Sequence, residues 1–494
     1  MRNVFIFFIM LLTTVSVSQP YFNYPIDTLA SDQYYNYRAM VKYDNDGFIH
    51  VVNTRQYSTQ NETREIFYWN NKTGSFLPLQ LTNNNVDDNY SSIAFDEDGY
   101  THIGWERRDA SNLFQLIYTN NRATGDTFNL PVWITSGGIN KATPYMAMGK
   151  GDSSVHFAYL TYPMTGTGNA YYRKFNYISN ELGPEIVLGQ MSPSSENDIQ
   201  IAIDSNGIVH IVYTTNETFF GGELHYFTNE SGTMEEISTG VTATTQYPAI
   251  TIDKLTNRVL IIYRVEQGSN RVIYLISREL SGNFTNSQAI TTGGLGRPSF
   301  YRSIDTDNEG NLFVTFQNSV SKAPKGFFLI FGKPGFVFSP PVLIFEDSTS
   351  TYIARGNNSV TARGNGLITV SFDPAASRNG TIVSDIMLKT GQVDFSLGIV
   401  QNQNIQAGEF LILQNYPNPF NPETEITFQL NKKAMTELSV FDNTGRQITT
   451  LVNEILQPGN YSYKFNASGL ASGVYFYRLV SGDHSVTKQM ILLK

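Results

Sequence analysis

Ile93-Ala94-Phe95-Asp96-Glu97-Asp98-Gly99-Tyr100-Thr101-His102-Ile103-Gly104-Trp105 and Ile201-Ala202-Ile203-Asp204-Ser205-Asn206-Gly207-Ile208-Val209-His210-Ile211-Val212-Tyr213 are two copies of one pattern. Each has an alternating apolar run, then Asp-x-x-Gly, then a second alternating run with His at its third position. Val41 to Val52, with Asp44, Gly47 and His50, is a third copy. Weaker copies run from Met146 to Tyr159 (with His156), Ile250 to Tyr263, Ile304 to Phe316 and Val360 to Phe372. Alternation with period two is the mark of a half-buried strand, and Asp/Gly between two such runs is a tight turn. Neighbouring turns lie 49–57 residues apart, so seven units fill the middle of the chain. A fixed period of that length is the signature of a repeat architecture.

Each unit carries a second hairpin downstream. Ile66-Phe67-Tyr68-Trp69-Asn70 with Gly74, Leu116-Ile117-Tyr118-Thr119-Asn120 with Gly125, and Leu224-His225-Tyr226-Phe227-Thr228 with Gly232 are examples. A unit therefore reads as four strands joined by an Asp/Gly turn, a longer loop and an Asn/Gly turn. Four-stranded units at this period are blades of a β-propeller. The expectation is an all-β chain with seven blades, six or eight being the alternatives, over residues 19–400. A strand borrowed from one terminus, Tyr34 to Tyr37 or Val383 to Leu388, is expected to close the ring.

The chain has 494 residues, more than one hydrophobic core can organise. Its net charge of −9 argues against a surface that tracks nucleic-acid phosphates, since that affinity comes from Lys and Arg. It has no cysteine, which removes disulfides, thiol catalysis and thiolate metal sites. Residues 1–18 read as a secretory signal: Arg2, the apolar run Val4 to Leu12, and the small residues Ser16 and Ser18. Nine apolar residues are too few to span a bilayer, which takes about 20.

After a linker at 401–408, residues 409–494 change character. Asn415-Tyr416-Pro417-Asn418-Pro419-Phe420-Asn421-Pro422 has three prolines in six residues, which excludes a helix or a central strand. About seven short strands follow, with the turn Phe441-Asp442-Asn443-Thr444-Gly445-Arg446, the segment Gly469-Leu470-Ala471-Ser472-Gly473-Val474-Tyr475-Phe476-Tyr477-Arg478-Leu479, and a basic end at Lys494. That number of strands suits a small Ig-like β-sandwich. On these motifs the tail resembles the C-terminal type A sorting domain of the bacterial type IX secretion system. The resemblance implies the type IX machinery as a partner and a Bacteroidetes-like bacterium. It also implies release of the cargo or its attachment to the outer-membrane surface.

Within the repeats, His50, His102, His156 and His210 hold the same register. A residue demanded by every blade answers a structural need, so these imidazoles are expected to pack beside the Asp/Gly turns, bonded to a turn Asp or a carbonyl. Asp44, Gly47, Asp96, Gly99, Asp204 and Gly207 are read as turn residues. Their Asp-x-Asp-Gly versions resemble calcium loops, but the chain enters a strand where a twelve-residue loop would continue. No metal or cofactor is expected, structural calcium at these turns being the alternative.

Function on such a ring belongs to the opposite face, formed by the longer loops. The ligand-face candidates there are Arg107, Arg108, Tyr247, Arg264, Arg297, Arg302 and Arg355, with Asp87, Asp88, Tyr90 and Glu106 nearby. The repeats loosely resemble the Asp-box propellers of the sialidase superfamily, in which three arginines grip a substrate carboxylate. Arg38, Arg302 and Arg355 could be nominated for that role, although no spacing forces the choice. Catalytic residues are not identifiable from the sequence. The reading is a secreted or surface-displayed propeller that binds polysaccharide or protein; the alternative is a secreted glycan-active hydrolase or lyase.

Overall fold

The computed structural model describes residues 26–393 and 411–492, except 31–33, 58–62, 126, 163–166, 192–198, 216–221, 268–269, 280, 292–296, 299–301, 319–325, 336–337, 347–356, 365, 379–380, 413–414, 416–419, 431 and 458. The chain divides into two compact units, Gln19–Asp394 and a C-terminal unit beginning at Phe395. The expected signal (1–18), the linker (401–408), Arg355, Pro417, Asn418, Pro419 and Lys494 lie outside the described residues.

The described residues of the first unit form seven sheets. The second is typical: Asp88–Phe95, Thr101–Arg108, Phe114–Asn120 and Val132–Trp133 follow one another as antiparallel neighbours. The inner strands of the seven sheets begin at Tyr35, Asp88, Asn140, Ile199, Thr245, Ile304 and Asn358. Each packs on the next, and the last packs on the first, so the ring is closed. This is a β-propeller.

Apolar faces meet between successive sheets. Met40, Val52 and Ile66 of the first lie against Ile93, Ile103 and Trp105 of the second, all essentially without solvent contact. Burial of this kind stabilises by about 1.5–3 kcal/mol per large side chain. The approach is close enough that a Cβ at Gly104 would sit 2.9 Å from the ring of Phe157 in the third sheet, so no larger residue fits there.

Ring closure differs from the expectation. The borrowed strand is Asp27–Ala30, which pairs with Ile386–Gln392 as the outermost strand of the seventh sheet. Tyr35–Tyr37 instead belong to the inner strand of the first sheet. Residues 381–384 make a hairpin with Ala375–Arg378 that leans on that strand through the single pair Tyr35 and Ser384. Sequence periodicity cannot separate these cases, because any short apolar segment at either end could supply the missing edge.

The Asp/Gly turns share one geometry. In the second sheet the Gly99 N–H donates to the Asp96 carbonyl (3.1 Å), and the Asp96 carboxylate accepts from the Tyr100 N–H (2.8 Å). Gly47, Gly99 and Gly207 have φ of 93°, 82° and 79°, a conformation that favours glycine.

The C-terminal unit is a two-sheet sandwich. Leu411–Ile412, Glu423–Leu430 and Gly459–Asn466 form one sheet; Gln447–Leu456, Ala434–Asp442, Gly473–Ser481 and His484–Leu492 form the other. Ile426, Phe428, Leu438, Val440, Tyr477 and Leu479 fill the space between them. Asn415 is buried; its N–H donates to the Tyr477 hydroxyl (2.8 Å) and its Nδ2 to Thr424 Oγ1 (2.9 Å). Phe420 enters the same core, its N–H on the Ile491 carbonyl (2.9 Å). The Asn421–Pro422 bond is cis. Asp442 and Gly445 close the turn of the body's repeats once more, the Gly445 N–H donating to the Asp442 carbonyl (3.1 Å), and Gly473 opens its strand.

Candidate functional site

The inner strands carry a repeated irregularity. Their pairing slips between Tyr37 and Met40, Asn89 and Ser92, Ala142 and Tyr145, and Gln246 and Ala249. At these bulges Arg38, Tyr90, Thr143 and Tyr247 take φ of 60°, 50°, 52° and 51°. Left-handed backbone at a non-glycine residue costs of order 1–3 kcal/mol and gathers where side chains must be aimed. Here it aims Arg38 and Tyr90, from adjacent sheets, at each other.

The Arg38 guanidinium lies 3.3 Å from the centre of the Tyr90 ring and bonds the Tyr90 hydroxyl; Nη1 donates to Asn89 Oδ1 (2.8 Å). Both side chains are half-buried. Behind them stand two carboxyls. Glu106 accepts from Asn89 Nδ2 (3.1 Å) and from the Thr143 N–H (3.0 Å). Asp373, at the end of the seventh sheet's second strand, accepts from the Arg38 N–H (2.9 Å) and from Asn357 Nδ2 (3.1 Å). Each residue is 2% exposed. Burial pushes the Glu106 carboxyl up to about 7, against the pull of the Thr143 N–H and of Arg38 and Arg64. Burial likewise pushes Asp373 up to about 7, against the hydrogen bonds from Asn357 and the Arg38 N–H. A cation stacked on a phenol is thus backed by two carboxyls able to carry protons near neutrality, a set capable of holding a polar ligand or of moving a proton.

The candidates named from sequence are placed as follows. Arg107 clamps Asp88 through Nε (2.6 Å) and Nη2 (3.1 Å), and Asp88 also takes the Trp105 indole N–H (2.5 Å). Arg108 donates to the Asn112 carbonyl (3.0 Å) and stacks on Phe114, while Asp87 is bound by Arg64. Tyr247 and Arg264 lie together, 4.4 Å from guanidinium carbon to ring centre, but are 1% and 3% exposed. The strained Tyr247 therefore packs inside the wall, and neither side chain faces solvent. Arg302 pairs with Asp305 (3.3 Å), outside this cluster, and Arg297 lies in a two-residue strand. The structure brings together Arg38, Tyr90 and Glu106 from the sequence reading. It adds Asn89, Asn357 and Asp373, which carried no local signal because Asp373 is 335 positions from Arg38.

The repeated histidines stand apart, beside the turns. His102 Nε2 lies 3.0 Å from Asp96 Oδ2 and Nδ1 lies 2.5 Å from the Tyr118 hydroxyl. An ionised Asp only accepts, so the neutral ring carries its proton on Nε2 and accepts the tyrosine proton on Nδ1. His50 does the same between Asp44 (2.9 Å) and Tyr68 (2.6 Å). His156 lies between Ser154 (2.8 Å) and Tyr172 (2.8 Å), and His210 meets Tyr226 (2.6 Å) with Asp204 at 4.0 Å. Burial lowers the pKa of His50, His102 and His156 despite the neighbouring carboxylates. These turn carboxylates are already spent on backbone N–H groups, imidazoles and cations. Among the described residues no three His, Asp or Glu side chains are grouped to hold a metal ion.

Residues 414–493 match the family model described as "Secretion system C-terminal sorting domain". The tail is a type IX sorting domain. As type IX cargo the chain is secreted or attached to the cell surface, and among its described residues no helix is long and apolar enough to cross a membrane. No curated protein matches the chain significantly. Among solved structures it is similar to a protein of unknown function from Dyadobacter fermentans (11% identity, 74% of this chain and 99% of that one, TM-score 0.44). It is also similar to a Hadza microbial sialidase (9% identity, 73% and 66%, TM-score 0.43) and to a polysaccharide lyase described as a PL25 ulvan lyase (12% identity, 59% and 75%, TM-score 0.39).

Proposed function

We propose that the propeller is a polysaccharide-binding module carried out of the cell by its sorting domain and held at the outer-membrane surface. Its body spans residues 19–400 and is joined through 401–408 to the tail. The observation that carries this reading is the half-exposed Arg38–Tyr90 pair, with Asn89, Glu106 and Asp373 behind it hydrogen-bonded into the wall. A tyrosine ring can stack on a sugar, and the Arg38 guanidinium, bonded to Asn89 and Tyr90 in this structure, can exchange those bonds for sugar hydroxyls. A glycan-array screen of the body, repeated with Arg38→Ala and Tyr90→Ala, tests it. Loss of the wild-type hits in both variants is expected; hits unchanged in both would overturn the assignment of this face.

A second reading, a glycan-active hydrolase or lyase, is favoured by one observation: Glu106 and Asp373 titrate near neutrality beside that pair. Turnover of a bound glycan that Glu106→Gln abolishes while binding persists would select it over the first.

A further inference from the structure

The fourth sheet has a gap at its outer edge, at the end of the ring where the inner strands begin. Its third strand, Leu224–Thr228, is covered on the outer side by only two residues, Glu235–Glu236. Just beyond them the Ile237 N–H donates to the Tyr226 carbonyl (3.0 Å), and the chain then leaves the sheet. It returns at Thr245, which exchanges both backbone bonds with Gly222 (3.0 and 2.8 Å). Residues 238–244 bow away from the strand in between, and the space they border is a cavity of about 700 Å³.

Inside that gap one pair of backbone groups is left over. The Thr215 N–H bonds the Glu223 carbonyl (3.2 Å) on the inner side of the strand, so the alternation of an antiparallel pair turns the Leu224 N–H and carbonyl outward. Among the described residues neither has a partner, although Leu224 is only 6% exposed. Buried backbone groups in proteins are nearly always paired, so a donor and an acceptor side by side without partners suit a group that carries the complementary pair. Beside them His225 stacks on Tyr213 (4.9 Å between ring centres), and its Nδ1 donates to Glu236 Oε1 (2.6 Å). Glu223, Thr242 and Thr244 continue the wall, and among the described residues no Lys or Arg lines it. Glu236 and Glu223 approach different nitrogens of His225, so these three side chains do not gather around a metal ion.

We propose that this cavity binds the acetamido group of an uncharged, N-acetylated sugar. The acetamido carbonyl accepts from the Leu224 N–H and its N–H donates to the Leu224 carbonyl, while Glu223 and Glu236 accept from ring hydroxyls. Leu224 is the one outward-turned residue between the ties at Gly222 and Tyr226, which stand about 13 Å apart along the strand. A single amide fits that opening, whereas an added peptide strand needs a longer edge. Two carboxylates with no cation beside them repel a sugar acid, which leaves the neutral N-acetylated sugars. The proposal rests on the glycan-binding reading for its class of ligand and adds a contact separate from Arg38 and Tyr90.

The test is calorimetric titration of the full chain with N-acetylglucosamine and N-acetylgalactosamine, each against glucose and galactose, and with N-acetylalanine methylamide as a free peptide unit. At least one acetylated sugar is expected to bind, with its parent sugar weaker by about tenfold for the loss of two hydrogen bonds. Ala243→Trp, on the exposed loop, sets a ring in the mouth of the cavity and should weaken the acetylated sugar by about tenfold. If that variant does not fold, Glu236→Ala is read in its place, with a loss of about threefold. No binding of either acetylated sugar, equal affinity for the parent sugar, a peptide unit bound as tightly as the sugar, or an unchanged affinity in the folded variant overturns the proposal. Loss of binding in Arg38→Ala but not in Ala243→Trp would assign the sugar to the Arg38–Tyr90 face, overturning this site and leaving the reading of that face intact.

Discussion

Replacing Glu106 with glutamine should change how stability depends on pH more than stability itself. In the folded chain the Glu106 carboxyl titrates at about 7, against 4.5 for an unperturbed glutamate. The folded value is the higher, so the contribution is fully present below about 4.5 and is lost as pH rises through 7. At about 1.4 kcal/mol per pH unit, the wild type loses about 3 kcal/mol of stability over that window from this one group. Glutamine cannot ionise and loses none. It also has one acceptor oxygen where the Thr143 N–H and Asn89 Nδ2 need two, which costs about 1–3 kcal/mol at every pH. Subtracting the two stability curves separates the effects: the offset is flat, and the slope belongs to the carboxyl. Asp373 titrates in the same range but is present in both proteins and cancels in the difference. The assay is urea unfolding at a series of pH values, followed by tryptophan fluorescence, since Trp105 is wholly buried close to the site. The variant should gain on the wild type by about 3 kcal/mol between about pH 4.5 and about pH 8. Parallel curves across that range would refute the buried, protonated Glu106.

Tyr118→Phe removes the hydroxyl that His102 Nδ1 accepts from, leaving a buried acceptor unmade, and should cost about 1–3 kcal/mol in urea unfolding at neutral pH; no measurable cost would show that the relay contributes nothing. The turn relays should lose stability in acid, opposite in sign to Glu106 and Asp373. Folded pKa values are lowered for His50, His102 and His156 by burial; for Asp44, Asp96 and Asp204 (about 2) burial pushes up, but the hydrogen bonds from His50 and His102 and, at Asp204, the nearby His210 and the Ile208 and Asn206 N–H groups prevail. Lowered values mean stability that is present above the unfolded pKa and lost as pH falls, first through the histidine range below about 6.5 and then through the carboxylate range below about 4. Subtracting the stability curve of His102→Gln from that of the wild type isolates this loss; a difference that stays flat from neutrality to about pH 4 would contradict it. Deleting residues 409–494 should leave the body in the periplasm, read by cell fractionation and blotting; surface delivery of the truncated chain would show that export does not need the tail.

The repeat is legible in the sequence because a blade imposes its demands at a fixed interval. The Asp and Gly of the turns and the alternating strands answer purely local geometry, so His102 and His210 can be aligned with no knowledge of the fold. The tyrosines that complete the relays stand in the third-strand motif as Tyr68, Tyr118 and Tyr226, but their role depends on pairing across two strands and shows only once His102 is set opposite Asn120 in the sheet. The ligand face is harder. Arginines near loops look available, yet Arg107, Arg108 and Arg264 are each committed to a partner in the wall. Arg38 and Tyr90 differ from them by a bulge in the inner strand, which no composition or alternation signal announces. Their meeting with Asp373 depends on the ring closing, a contact between the two ends of the body.

That dependence has a consequence for how the site is assembled. Arg38 and Tyr90 belong to the first two sheets, but Asp373 and Asn357 come from the seventh, and the seventh sheet is complete only when Asp27–Ala30 adds its outer strand. The backbone strain at Arg38 is held by a hydrogen bond from its own N–H to Asp373, so the left-handed conformation that aims the guanidinium at Tyr90 is supported across the closing seam. The relays have no such requirement, since each Asp, His and Tyr lies within one sheet and can form as that sheet forms. Blades can therefore stiffen one at a time around their relays, whereas the Arg38–Tyr90 face takes its shape only when the ring shuts. The Arg38–Tyr90 face is therefore the part of the body whose geometry depends on ring closure.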